Sequence, residues 1–337
     1  MADLSTRYLG LELRNPVVAS AGPLTQTVDG IKALADAGVG AVTMFSLFEE
    51  QLSQDAERLV ELEESFADLS PEASSFFPEV PRAEAGAVTQ YLNLVSAGAA
   101  AIDVPLIASL NGASHGGWTQ SARLLQEAGA AAIELNIYYV PGDLALDGPQ
   151  VEQRHVDILT AVKETVSIPV TAKLSPYFSS VGAMCRRLDA AGADGLVLFN
   201  RFLQPDIDLE RLEVVSGVTL SSPHEARLPR TWIAVLRDQV SASLAATTGV
   251  EQAEDVVKYI LAGADVVCST SALVRHGARR ATNLIEGLDT WLDSKQLSLS
   301  QARGMLAVPK QAAADAYERA GYVAALEKAK TVYGALH

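Results

Sequence analysis

An alanine–glycine pair followed by a short apolar run recurs in this chain, and this repeat limits its possible folds more than any other feature. The four pairs are Ala37-Gly38, Ala128-Gly129, Ala191-Gly192 and Ala262-Gly263. Glycine can end a helix in the left-handed conformation, and a β-rich run directly after it is typical of the link from a helix to a strand. The repeat therefore predicts a chain that alternates between helices and strands.

Four further apolar runs lie between these repeats, and three of them are entered through a proline. The proline-led runs begin at Pro16, Pro105 and Pro169, and the fourth covers residues 243–247. Proline is tolerated at the first residue of a strand, where its missing N–H removes no ladder bond. The two kinds of run together predict eight strands. Amphipathic helices are predicted between them, for example over residues 118–128, 151–166, 181–190 and 252–261.

Eight short strands with helices between them favour a closed parallel barrel, the TIM (β/α)₈ fold, over an open doubly wound sheet. No G-x-G-x-x-G motif follows the first strand, which argues against a dinucleotide-binding sheet. We expect residues 1–337 to form one domain. Insertions are predicted after the second strand (49–85, its first half helical) and after the sixth (204–229, with a β-like run at 214–222). A helical tail at 297–337 is predicted to pack on the barrel.

The composition narrows the classes of partner. The chain has a formal net charge of -15, from 41 acidic and 26 basic residues, so its field repels nucleic acid and anionic membranes. The N-terminus has no signal-peptide pattern, and no apolar stretch is long enough to span a membrane. The two cysteines, Cys185 and Cys268, lack the spacing of metal ligands. We expect a soluble cytoplasmic protein with a small-molecule substrate and no metal.

Lys173 lies in an apolar run that ends the fifth predicted strand. Because side chains alternate along a strand, Thr171 and Lys173 share one face, and at the strand's carboxyl end that face points into the barrel mouth. Burying a lysine among apolar residues is costly unless an anion or carboxylate meets it. Lys173 is therefore the first candidate site residue. The structural alternative is an ion pair with Glu134 on the neighbouring strand.

Hydroxyl-bearing turns follow the seventh and eighth predicted strands. They contain Thr248-Gly249 and Thr270-Ser271, each before a predicted helix. Hydroxyls and free N–H groups at helix N-termini favour an anion, and these two loops hold phosphate in many barrels. Either turn alone could simply be a helix cap. Their coincidence at both strands predicts a phosphate site.

Two asparagines end other predicted strands, Asn111 and Asn200. Asparagine both donates and accepts hydrogen bonds, which suits an amide-bearing ring or a carboxylate. Each could equally form an Asx turn, and for Asn111, which precedes Gly112, that alternative is favoured.

The order of these motifs resembles the dihydroorotate dehydrogenase family, most closely its soluble class. The resemblance runs from Tyr8 to the helix after Ser271, and each motif is short, so specificity comes from order and spacing. The matching motifs are Asn15-Pro16, Ser20-Ala21-Gly22, Ser109 with Gly112, Glu134-Leu135-Asn136, Ala172-Lys173-Leu174-Ser175-Pro176, Asn200, Gly249 and Ala262-Gly263-Ala264 leading to Ser269-Thr270-Ser271-Ala272-Leu273.

The resemblance implies FMN across the barrel mouth and oxidation of dihydroorotate to orotate, a step of pyrimidine biosynthesis, with hydride passing to flavin N5. A lysine near the ring stabilises the reduced flavin by its charge. Substrate contacts fall on Asn136 and Asn200, and a homodimer is expected because barrels of this family are often dimers. Cofactor contacts fall on Ser20, Ala21, Gly22, Asn136, Lys173, Thr248, Gly249, Thr270 and Ser271.

Three departures from the family pattern concern the substrate side. The family's catalytic base lies in Leu-Ser-Cys-Pro-Asn or a serine version, whereas residues 137–141 put Tyr139 at that position. A phenol, with a reference pKa of ~10, is the tentative base. Met44 stands where the family has a lysine, and the family's asparagine-rich substrate loop has no counterpart in 70–85. The cofactor motifs match the family pattern better than the substrate motifs do, which predicts a divergent member of the family with an altered substrate.

Two other functions fit the same residues. One is a non-catalytic barrel that keeps flavin or phosphate as a structural ligand and partners another redox protein. The other is a barrel that uses Lys173 for Schiff-base chemistry on a phosphate-bearing substrate.

Overall fold

The computed structural model describes residues 2–48, 86–112, 115–139, 141–201, 205–215, 217, 219–311 and 314–334. The predicted insertion at 49–85, including the stretch 70–85, lies outside the described residues.

Eight parallel strands close into a barrel in the order β11-β12-β3-β4-β5-β6-β7-β8, so the predicted fold is confirmed. All eight predicted strands belong to this barrel. In chain order the strands are β1 (Thr6–Tyr8), β2 (Leu11–Leu13), β3 (Val17–Ala19), β4 (Ala41–Phe48), β5 (Leu106–Asn111), β6 (Ala132–Asn136), β7 (Val170–Leu174), β8 (Gly195–Leu198), β9 (Asp206–Asp208), β10 (Glu213–Val215), β11 (Ser243–Ala246) and β12 (Val266–Ser269).

Helices surround the barrel, and short 3₁₀ helices cover Pro23–Thr25 and Pro223–Ala226. In chain order the described α-helices are α1 (Val28–Asp36), α2 (Ala87–Ala101), α3 (His115–Glu127), α4 (Gly148–Thr165), α5 (Val181–Ala190), α6 (Arg227–Leu236), α7 (Ala253–Ala262), α8 (Ser271–His276), α9 (Arg280–Lys295), α10 (Leu299–Ala302) and α11 (Ala314–Tyr333). Among them, none is long and apolar enough to cross a membrane.

The predicted helix boundaries agree with the structure to within three residues. Helix α4 begins three residues before the predicted start because Asp147 caps it, its carboxylate accepting the Gln150 N–H at 2.9 Å. The glycines of the four Ala-Gly pairs all have positive φ, between 92° and 122°. Since this conformation is costly for other residues, these glycines end the preceding turns as the pattern predicted.

Apolar side chains form two layers because each barrel strand is covered on both faces. An outer layer between strands and helices includes Val42, Leu135 and Ala172. An inner layer fills the barrel and includes Ala41, Ile107 and Val197. Side chains one residue apart thus belong to different layers, as the period of two requires.

The amino-terminal end of the barrel is closed by the antiparallel hairpin β1–β2. Tyr8 and Leu9 of this hairpin are buried against the inner layer. The Leu9 N–H donates to Ser243 Oγ at 3.2 Å, at the first residue of β11. A Cβ on Gly195 would lie 2.5 Å from Leu9 Cδ2, so a larger first residue of β8 would force the Leu9 side chain to shift. The open end of the barrel is therefore the carboxyl end of its strands.

The second predicted insertion forms the hairpin β9–β10, in which Val214 pairs with Ile207. The predicted β-like run at 214–222 was too long, because β10 ends at Val215 and the 3₁₀ helix starts at Pro223. In the tail, Leu299 of α10 is buried, whereas the side chains of residues 319–328 in α11 are exposed.

Candidate functional site

A cavity of about 130 Å³ lies at the open end of the barrel, and we call it the mouth cavity. Its lining comes from the ends of β3, β7, β8, β11 and β12, which are far apart in sequence but adjacent in the barrel. The structure thereby brings together eight of the predicted site residues: Ser20, Ala21, Lys173, Asn200, Thr248, Gly249, Thr270 and Ser271. Their assignment to a flavin stays a prediction.

Lys173 reaches the mouth cavity from β7, and its side chain is only 10% exposed. Its Nζ lies 3.4 Å from Oε1 of Glu134, whose own side chain is 3% exposed. Both sequence hypotheses for this lysine therefore describe part of its environment, since it pairs with Glu134 and also lines the cavity. The distance is long for a charge-assisted hydrogen bond, which leaves N–H groups of the ammonium available to a ligand.

A chain of polar side chains crosses the barrel beside Lys173. Asn200 donates through Nδ2 to Asn136 Oδ1 at 2.6 Å, and Asn136 donates through Nδ2 to Ser46 Oγ at 3.3 Å. The Ser46 and Ser109 hydroxyls are 2.9 Å apart. Asn136 is paired with Lys173 in the register of β6 and β7. The two asparagines predicted to contact substrate thus hold each other in a fixed orientation.

Ser46 was missed by the sequence analysis because β4 is irregular. The β4–β5 register shifts between Thr43 and Ser46, and this bulge turns Ser46 into the barrel. The backbone N–H of Phe45 within the bulge donates to Thr25 Oγ1 at 2.8 Å. Met44, at the position of the family's lysine, is fully buried in the outer layer. Its side chain therefore packs away from the mouth cavity.

Ser221 connects the two hydroxyl-bearing turns, and it too was missed. Its N–H and its hydroxyl both donate to Ser271 Oγ, at 3.0 and 2.9 Å, while Ser221 Oγ accepts the Gly249 N–H at 3.2 Å. Arg275 donates to the Ser221 carbonyl at 2.8 Å. The loops after β11 and β12 are therefore held together by a residue of the preceding insertion.

Two glycines bring backbone close to the mouth. Gly249 has φ of +71°, and a Cβ there would lie 2.6 Å from the Ser222 carbonyl oxygen. A Cβ on Gly22 would lie 2.5 Å from Thr270 Cγ2. Thr248 has φ of +81°, a strained conformation for a β-branched residue that is concentrated at functional sites. Gly249 thus allows the loop after β11 to pack closely against the 3₁₀ helix at Pro223–Ala226.

Cys268 lies in the lining of the mouth cavity and is 4% exposed. Burial, with a smaller contribution from the charge of Glu134 and against the opposing charge of Lys173, raises the pKa of its thiol to about 12. The thiol is therefore neutral at physiological pH and is a poor nucleophile.

Tyr139 lies outside the mouth cavity. It lines a separate cavity of about 330 Å³ with residues of α4. The Arg154 guanidinium carbon is 4.7 Å from the centre of its ring, within the range of a cation–π contact. Asn111, the last residue of β5, is half-buried and also lies outside the mouth cavity lining. The structure does not bring either side chain to Lys173.

The fold and site together define a (β/α)₈ barrel with a polar, lysine-bearing cavity at the carboxyl end of its strands. A family model described as dihydroorotate dehydrogenase matches residues 3–292. The chain belongs to the dihydroorotate dehydrogenase family.

Relatives of this chain carry names from the same family. The catalytic subunit of dihydroorotate dehydrogenase B (NAD(+)) from Thermoplasma acidophilum is 27% identical, over 88% of this chain and 96% of the relative. The protein of the same name from Methanocaldococcus jannaschii is 25% identical, over 90% of this chain and 97% of the relative. A putative dihydroorotate dehydrogenase A (fumarate) from Aeropyrum pernix is 31% identical over 56% of this chain and 63% of the relative.

Proposed function

We propose that this protein is an FMN-dependent oxidoreductase in which hydride passes between a small planar or carboxylated substrate and flavin N5. Family membership supports oxidation of dihydroorotate to orotate as the first reaction to test. The observation that carries the proposal is the placement of Lys173, a buried cation that lines the mouth cavity together with both hydroxyl-bearing turns.

The residues present fit an FMN molecule in two respects. The phosphate would lie against Thr248, Gly249, Thr270 and Ser271, which line the mouth cavity from the ends of β11 and β12 together with Lys173. The ring would lie against Ser20, Ala21 and Gly22, with Asn136 and Lys173 at its polar edge. When bound, FMN supplies the hydride acceptor, which no side chain can provide.

The chain's own contribution is charge and orientation. The Lys173 ammonium would stabilise negative charge at the edge of the ligand, and because Glu134 and the strand fix it in advance, little reorganisation is needed. The Asn200–Asn136–Ser46 chain would hold the amide and carboxylate groups of a substrate in one orientation.

Two side chains are relevant to the transfer of the substrate proton, Tyr139 and Cys268. Tyr139 as base stays a prediction from the family resemblance, because its ring lies in a separate cavity under Arg154. Cys268 lines the mouth cavity, but its raised pKa makes it a poor proton acceptor.

The position of Tyr139 favours a second candidate function. In this alternative the barrel keeps flavin or phosphate as a structural ligand and acts as the binding partner of another redox protein. A base would then be unnecessary.

A flavin spectrum followed by anaerobic mixing with dihydroorotate tests both candidates. We expect the purified or FMN-supplemented protein to show flavin absorbance that bleaches on mixing. Flavin that binds but is reduced by no donor would support the second candidate. A colourless protein that gains no bound flavin on FMN addition would remove the first. A gel-filtration mass measured on the same sample tests the predicted homodimer.

A further inference from the structure

A second cavity, of about 440 Å³, adjoins the mouth cavity, and we call it the outer cavity. Phe199, Asn200, Arg201 and Thr248 line both. Its volume is within the range of cavities that hold small molecules, roughly 300–1,000 Å³. A ligand in the mouth could therefore extend past Asn200 into the outer cavity.

The lining of the outer cavity is rich in positive charge. It contains two arginines, Arg201 and Arg227, against one acidic residue, Glu225, together with the imidazole of His224. Because the whole chain carries a net charge of -15, this local excess of cations is not a property of the surface in general. A local excess of positive charge at a cavity attracts anionic ligands.

Glu225 is paired with Arg201, so it offsets the charge of that arginine and leaves the charge of Arg227 in excess. Its carboxylate accepts from Arg201 Nε at 2.9 Å and from the Ser222 N–H at 2.6 Å. Burial alone would raise the pKa of Glu225, but these hydrogen bonds and the Arg201 charge lower it below its usual value. Arg201 also donates to the Thr219 carbonyl. The arginine is thus held in place at the boundary between the two cavities.

Arg227 differs from Arg201 because its charge is unpaired. It is the first residue of α6, it is exposed, and its guanidinium has no hydrogen-bond or ion-pair partner among the residues that the structure describes. A guanidinium of this kind can bind a carboxylate through two parallel hydrogen bonds without first breaking a contact.

Besides the charged residues and the polar side chains shared with the mouth cavity, the lining of the outer cavity includes several apolar or aromatic side chains. Tyr177 and Leu228 are 67% and 49% exposed, and Pro176 and Pro229 lie beside them. Exposed apolar side chains next to cations suit an organic anion with a hydrocarbon portion better than an inorganic ion.

We propose that the outer cavity is a subsite for a second anionic group of the substrate, so that the substrate class is dicarboxylates. This inference rests on the proposed function, in which the first carboxylate lies near Lys173 and Asn200. The second carboxylate binds at Arg227 with Arg201, and the carbon chain between them lies against the apolar lining. A lone monocarboxylate uses only half of these contacts.

Calorimetric titration of the full-length protein, FMN-loaded if it takes up flavin, with a series of acids tests the subsite. The probes are succinate, glutarate and adipate, with butyrate as the monocarboxylate, all at one ionic strength. We expect one dicarboxylate to bind at least tenfold more tightly than butyrate, and Arg227→Gln to remove that preference. Arg211→Gln, the same charge change on the exposed hairpin β9–β10, is the matched control and should keep it.

Equal affinity for butyrate and every dicarboxylate, or a preference that survives Arg227→Gln, would overturn the subsite. The titration does not depend on flavin. If the protein binds no FMN but shows the Arg227-dependent preference, the proposed function is refuted and the subsite is supported. If the protein binds FMN but shows no preference for a dicarboxylate over butyrate, only the subsite is refuted.

Discussion

Replacing Lys173 with methionine separates the two roles of this side chain, as partner of Glu134 and as contact for a ligand. Methionine keeps most of the length of the lysine stem but removes the charge, so the Glu134 carboxylate, 3% exposed, is left without its cation. Removing one partner of a buried pair costs about 3–5 kcal/mol, and the long 3.4 Å separation places this pair at the lower end, about 3 kcal/mol. We expect the flavin-free variant to unfold at a clearly lower temperature.

The double variant Lys173→Met with Glu134→Gln is the control for stability. With both charges gone, we expect the free energy of unfolding to recover to within about 1 kcal/mol of the parent protein, since neither ion is left buried alone. The affinity for FMN should not recover. Loss of one charge-assisted hydrogen bond weakens binding about tenfold or more, and both variants lack it equally.

Two assays distinguish the roles. Thermal unfolding without flavin reports the ion pair, and quenching of FMN fluorescence on titration reports the ligand contact. If the double variant bound FMN as tightly as the parent protein, Lys173 would be a structural residue and the placement of flavin at its ammonium would be refuted. If the single variant unfolded like the parent protein, the ion pair would contribute nothing.

Three further variants or treatments test other parts of the site. Gly249→Ala should lower both thermal stability and FMN affinity, because its φ of +71° and a Cβ 2.6 Å from a backbone carbonyl together cost about 2 kcal/mol or more. Gly277→Ala, with φ of +81° but open space around it, measures the backbone strain alone, and an equal loss in both variants would contradict the close-contact argument. Tyr139→Phe should change flavin reduction by dihydroorotate less than about twofold, because the phenol lies outside the mouth cavity; a hundredfold loss would show that it is the base. Cys185 and Cys268, whose pKa values burial raises to about 12, should react with a thiol reagent near pH ~8 only after unfolding. The pKa values of both thiols are higher in the folded protein than the value of about 8.5 in the unfolded chain. Their contribution to stability is therefore complete below pH ~8.5 and declines as the pH rises toward 12. Urea unfolding at increasing pH would detect this decline.

The barrel could be predicted from the sequence because its signals are local. A glycine that ends a helix and a proline that opens a strand act within a few residues, and eight such signals in alternation leave few topologies. The position of Lys173 followed from the same local rule, since the period of two fixed its face. Asn136 lies beside it because the ends of β6 and β7 are in register.

The residues that were missed depend on contacts far apart in sequence. Ser46 faces the barrel only because of the bulge in β4, where Thr25 accepts the Phe45 N–H. Ser221 reaches Gly249 and Ser271 only after the insertion folds back over the mouth. Neither arrangement follows from periodicity, because each is fixed by hydrogen bonds that exist only in the closed barrel.

The hairpin β1–β2, which closes the amino-terminal end of the barrel, affects the order in which an electron donor and an electron acceptor can bind. Tyr8 and Leu9 fill the amino-terminal end of the barrel, so among the described residues the mouth cavity opens at the carboxyl end of the strands. If an electron donor and an electron acceptor both work at the mouth, they must take turns there, one departing before the other arrives. Steady-state rates measured while both concentrations are varied should then give parallel double-reciprocal lines, the kinetic pattern of a substituted-enzyme mechanism.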